Sequence, residues 1–144
     1  MLSKKSAMND RQMPFKIHMT GGVSVPFVYY VSELEKDVPL DAERLLRLLG
    51  VSGKLSGFHF AVYMLEQVQE KPEYVLLITK RLYSQTAQYF HTTANCVERN
   101  LRTLVQACWR QPDHRLLERI AGHPLSQPPT NAQFIDMVAA FLRK

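Results

Sequence analysis

Between Thr93 and Arg110 the sequence alternates with the period of an α-helix, and this stretch limits the fold more than any other. Placed on a wheel at about 100° per residue with Val97 as zero, Ala94, Leu101, Leu104, Val105 and Cys108 fall between about −20° and +80°. Asn95, Glu98, Arg99, Arg102 and Gln106 fall between about 100° and 200°. One face is therefore built for a protein core. The other carries charge and amide groups starting at the N-terminal end. Such a helix needs partners to cover its apolar side, which argues for a helical domain.

Upstream lies a short helical segment, Ser84 to Phe90, with Ala87 at its centre, followed by the polar turn His91-Thr92-Thr93-Ala94. Short helix, polar turn and longer helix is the helix-turn-helix plan, with a threonine available as N-cap for the second helix. The outward residue types suit base recognition in the major groove. Arg99 and Arg102 offer the planar fork that matches guanine O6 and N7. Glu98 can accept from cytosine N4 or hold an arginine in place, and Asn95 and Gln106 can read adenine. Lys80, Arg81, Tyr83, Thr92 and Thr93 flank the motif as candidate phosphate contacts. Periodicity alone favours a blander reading, an ordinary amphipathic helix with a solvated charged face on which Glu98 and Arg102 form an i, i+4 pair.

Charge distribution bears on the choice. Residues 1–79 hold nine Lys/Arg against nine Asp/Glu, whereas residues 80–144 hold nine against four, so the net +5 of the chain resides in its second part. A localised basic excess is what a polyanion binder requires, and equally what a merely solvated basic surface would show. Cys96 and Cys108 lie twelve residues apart in the same expected helix. That separation is about 18 Å, too far for a disulfide, and points to a reducing compartment. No apolar run reaches membrane-spanning length, and no apolar stretch follows the basic start as in a signal peptide. The expectation is a cytoplasmic chain without membrane contact. His18, His59, His91, His114 and His123 lack metal-ligand spacing, no phosphate-binding glycine loop occurs, and Ser56, Cys96 and Cys108 have no evident base. No enzyme, metal or cofactor is expected.

The remaining sequence divides at about residue 40. In residues 14–31, Phe15, Ile17 and Met19 alternate with polar residues, Gly21-Gly22 follows, and a run from Val23 to Val31 comes after it, which reads as a β-hairpin with Pro26 on an edge strand. Residues 1–39 are thus expected to form an extension and residues 40–144 a helical domain. Asp41 opens a first helix that Gly50 closes. Gly53 and Gly57 punctuate the next segment. Phe58, Val62, Leu65 and Val68 mark a second helix up to Pro72, and Tyr74, Leu77, Ile78 and Leu82 mark a third. A short helix near 114–121 stops at Gly122. The last begins with the capping box Thr130-x-x-Gln133, and Phe134, Met137, Val138, Phe141 and Leu142 form its buried stripe.

Within the pivotal stretch, Thr92-Thr93-Ala94-Asn95-Cys96-Val97-Glu98-Arg99-Asn100-Leu101-Arg102 with Ala107-Cys108-Trp109 resembles the DNA-binding effector domain of the master sporulation response regulator of endospore-forming bacteria. Leu40-Asp41-Ala42 with Gly50-Val51, the segment Ile78 to Tyr83, and Pro129-Thr130-Asn131 with Phe134-Ile135 and Met137-Val138-Ala139 match in the same order. The resemblance implies an all-α fold of about six helices containing a helix-turn-helix. It also implies binding of double-stranded DNA at short TGTCGAA-like boxes, often as head-to-tail pairs, and contact with RNA polymerase sigma subunits. The family's base-reading glutamate and two arginines fall on Glu98, Arg99 and Arg102, which tips the balance toward a transcriptional regulator.

Two departures stand out. The family usually has arginine where this chain has Cys96 and asparagine where it has His91. Only 39 residues precede the match, too few for a phosphate-receiver domain, so another switch is expected. The apolar run Phe27 to Val31 leaves two roles open for the hairpin, a homodimer contact or docking edge, or packing on the chain's own helices. A rival reading of the whole is a protein-interaction module, an antagonist pairing with the full-length regulator or a sigma subunit.

Overall fold

The computed structural model describes residues 40–77 and 81–143; the 1–39 extension with the hairpin expected at 14–31, and Lys80, lie outside the described residues. Within them the chain is all helical. Six α-helices follow in order: α1 Ala42–Leu48, α2 Ser56–Glu70, α3 Tyr83–Tyr89, α4 Ala94–Trp109, α5 Arg115–Ala121 and α6 Asn131–Leu142, with a 3-10 helix over Pro72–Leu77 between α2 and α3.

Three of the starts are written in the local sequence. The Asp41 carboxylate accepts from the Arg44 N–H at 2.8 Å and caps α1. The Thr93 hydroxyl accepts from the Cys96 N–H at 3.1 Å and caps α4. At α6 the Thr130 hydroxyl accepts from the Gln133 N–H while the Gln133 side chain accepts from the Thr130 N–H, the full capping box. Each such bond satisfies an N–H that the helix itself leaves unpaired, worth about 1 kcal/mol per cap.

Helix α2 runs through the middle, packed mainly against α4 and α6, while α3 lies on α4 and α5 on α6. Phe58, Met64, Leu65 and Val68 of α2 meet Leu101 and Leu104 of α4 and Phe134 and Ile135 of α6 in one continuous core, all fully buried. Gly57 makes the central contact close. A Cβ there would stand 2.3 Å from the Asn100 carbonyl oxygen and 3.2 Å from Leu104 Cβ. Read from the sequence as punctuation, Gly57 sits inside the first turn of α2, where the missing side chain lets α4 approach.

Of the third helix expected from Tyr74, Leu77, Ile78 and Leu82, residues 78–80 lie outside the described residues, and the part up to Leu77 takes another form. Residues Pro72–Leu77 make a 3-10 helix with no buried member, and Leu76 is 83% exposed. Leu82 is fully buried and immediately precedes α3. Val75-Leu76-Leu77 is a continuous apolar run without an amphipathic period, and such a run does not hold an α-helix against a core. No helix among the described residues is long and apolar enough to cross a membrane.

Candidate nucleic-acid interface

The junction of α3 and α4 sets the site. Helix α3 ends when the His91 N–H donates to the Gln88 carbonyl at 3.3 Å and the Thr92 N–H donates to the Ala87 carbonyl at 2.8 Å. These two bonds form the Schellman stop, which requires a left-handed residue at its corner. His91 supplies it at φ +58, the one non-glycine with positive φ among the described residues. The resemblance put asparagine here. Asparagine and histidine both tolerate this conformation better than most residues, so the exchange keeps the turn. Two residues later Thr93 caps α4, and the four-residue connection holds the two helices as one unit.

On α4 the expected faces separate cleanly. Val97, Leu101, Leu104, Val105 and Cys108 are buried, and burial pushes the Cys108 thiol up to about 12, keeping it protonated. Asn95, Arg99 and Arg102 are exposed, while Glu98 and Gln106 are partly covered. The Arg102 guanidinium donates to the Glu98 carboxylate at 2.7 Å, with side-chain exposures of 57% and 35%. In water such a pair contributes little to stability, so its effect is to fix where the guanidinium points.

The phosphate candidates fare differently from one another. Arg81 is exposed and Thr92 half-buried, and the exposed Thr93 hydroxyl accepts at the helix cap while its own proton stays available. Tyr83 is only 8% exposed. Its hydroxyl oxygen accepts from Asn131 Nδ2 at 2.9 Å, and burial raises its pKa. Cys96, at about 260° on the same helical wheel, is partly buried, and Asn100 Nδ2 lies 3.2 Å from its sulfur.

Three residues escaped the sequence reading. Asn131 also donates to the Glu98 backbone carbonyl at 3.2 Å, so the start of α6 grips the α4 turn that carries Glu98 and Arg102. Only the motif Pro129-Thr130-Asn131 hinted at it, since its partners lie 33 and 48 positions away. Thr103 and Arg110 are exposed and extend the polar side of α4. The helical wheel would have found both, at about 240° and 220°.

Fold and surface together define a small all-helical domain that presents a basic, hydrogen-bonding helix face next to a capped turn. The sequence model of the sporulation initiation factor Spo0A C-terminal family matches residues 42–142, a span that takes in all six α-helices. The chain belongs to that family, a DNA-binding regulatory family and not an enzyme family.

Proposed function

We propose that the chain is a sequence-specific DNA-binding transcriptional regulator that uses α3 and α4 as a helix-turn-helix and inserts α4 into the major groove. The observation that carries this reading is the polar face of α4, on which Asn95, Glu98, Arg99, Arg102 and Gln106 cluster beside the Thr93 cap. Arg99 and Arg102 read guanines, Glu98 reads cytosine or aims Arg102, and Asn95 and Gln106 complete the base contacts. Lys80, Arg81, Thr92 and Thr93 hold phosphates. Tyr83, buried at the start of α3, serves the site chiefly by bracing that helix against Asn131.

In this reading residues 40–144 form the DNA-binding domain and residues 1–39 an extension that carries its own role. The targets are short TGTCGAA-like boxes, and pairing of two copies on adjacent boxes and contact with a sigma subunit belong to the same proposal. Fluorescence anisotropy on a duplex with two tandem boxes and on a scrambled duplex, each at low and physiological salt, tests it. Preference for the boxes that survives physiological salt is the expected outcome. Weak binding to both that vanishes with salt would leave a protein-interaction module as the better reading.

Arg102→Ala is expected to cost about 1–3 kcal/mol on the boxes and little on scrambled DNA. Arg81→Ala should weaken both by similar amounts and flatten the salt dependence. Equal losses from both variants on both duplexes would argue against base reading by α4.

A further inference from the structure

Helices α1, α2 and α3 frame an open groove of ≈ 230 Å³ lined by Glu43, Phe58, His59, Tyr63, Glu66 and Tyr89, among others. Its walls are largely aromatic with Val62 among them, and beside the imidazole of His59 its ionisable lining groups are the carboxylates Glu43 and Glu66 and the phenols of Tyr63 and Tyr89, in a chain whose net charge is +5. At one end the structure shows what this combination holds. The Arg47 guanidinium lies 5.0 Å from the centre of the Phe58 ring and donates to the Glu43 carboxylate at 2.8 Å. The same components recur at the other end. Tyr63 and Tyr89 stack with ring centres 4.5 Å apart, Phe90 meets both edge-on, and Glu66 is exposed beside them. There, among the described residues, no guanidinium completes the set.

Tyr89 is 63% exposed, and among the described residues Leu76 alone of the large apolar or aromatic side chains is more open. Its packing on Tyr63 and Phe90 leaves much of the side chain open, while Leu82, Tyr83 and Ala87 carry the buried side of this segment. An exposed aromatic stack next to a carboxylate without a partner is a site for a planar cation, which gains from the ring faces and from the carboxylate together.

We propose that the Tyr63–Tyr89–Glu66 end of this groove is a docking site for an arginine side chain presented by a basic segment of a protein partner. Charge and shape both favour arginine over lysine. The guanidinium is flat, stacks on a tyrosine face and keeps donors in its plane for Glu66, as Arg47 does with Phe58 and Glu43. The lining residues include none of the proposed base-reading or phosphate-holding residues, and the proposal does not depend on that reading.

The test uses the full chain, N-acetyl-arginine methylamide as probe, and nuclear magnetic resonance of the tyrosine and phenylalanine rings. Shifts confined to Tyr63, Tyr89 and Phe90 at millimolar probe, absent with the uncharged citrulline analogue and weaker with the lysine analogue, are the expected result. Glu66→Gln should raise the dissociation constant about two- to five-fold. Tyr89→Ala should abolish the shifts of Tyr63 while leaving circular dichroism unchanged. Equal response to citrulline, or no response, would overturn the proposal. So would a groove that responds to arginine only after residues 1–31 are deleted, because the chain's own N-terminal segment would then be the occupant. Shifts that follow protein concentration without probe would assign the groove to a second copy and would equally overturn it.

Discussion

The ends of α1 and α3 are built on the same plan and finished differently. Both stop in a Schellman motif: at α1 the Gly50 N–H donates to Arg47 and the Val51 N–H to Leu46, and at α3 His91 donates to Gln88 and Thr92 to Ala87. The corner residue is Gly50 at φ +97 in the first and His91 at φ +58 in the second. Glycine takes that conformation without penalty, whereas a residue with a Cβ pays about 1–2 kcal/mol. The first turn is therefore finished for stability. The second keeps a side chain at the corner leading into α4, next to the Thr92 and Thr93 hydroxyls. Space reinforces the contrast: a Cβ on Gly50 would lie 2.5 Å from the Gln111 side chain, while His91 points outward and is exposed.

The contrast can be broken where the two regions meet. Gly57, early in the helix that follows the first turn, lies against Asn100 in the helix that follows the second. Gly57→Ala is expected to be the most damaging single change, about 3 kcal/mol in urea unfolding, because backbone rather than a flexible side chain must yield. The same variant should lose box preference along with stability, since α4 can relieve the clash only by shifting. Full preference in a folded Gly57→Ala protein would show that the α2–α4 spacing does not set the site.

Gly50→Ala should cost less, about 1–2 kcal/mol in the same assay, from the left-handed backbone together with displacement of the Gln111 amide. DNA preference should be intact, because this turn does not carry α4. The smallest effect has the opposite sign. His91→Gly should stabilise by about 0.5–1 kcal/mol, the relief of the corner offset in part by a looser unfolded chain. His91→Asn should gain less. If His91→Gly raises the urea midpoint while weakening DNA binding, the side chain at this corner is kept for the interface; a gain in both would mark it as neutral to binding.

Much of the fold was legible in single segments. The caps at Asp41 and Thr130 and the stops at Gly50 and Gly122 were assigned correctly, and the cap of α4 was narrowed to a threonine of the turn, because each is a bond or a backbone angle settled within about one helical turn. The buried and outward faces of α4 likewise follow from its period alone. The misreading at Tyr74 to Leu77 has the same origin in reverse. Local apolar content suggested a helix, yet whether an apolar run is covered depends on what packs on it, and Leu76 is covered by nothing among the described residues.

By itself, then, the sequence marked the segments of all six α-helices and several of their ends, which side of α4 is polar, and the likeness that names the family. It could do so because helical hydrogen bonds and side-chain spacing act over three or four residues. The tertiary structure alone decided that Tyr83 is buried, that Asn131 joins the Tyr83 hydroxyl to the Glu98 carbonyl, that Gly57 is a contact rather than a break, and that Tyr63 and Tyr89 stack across α2 and α3. Each of these joins residues between 26 and 48 positions apart. Such contacts arise only when whole helices pack, and no local pattern encodes which of many apolar faces will meet.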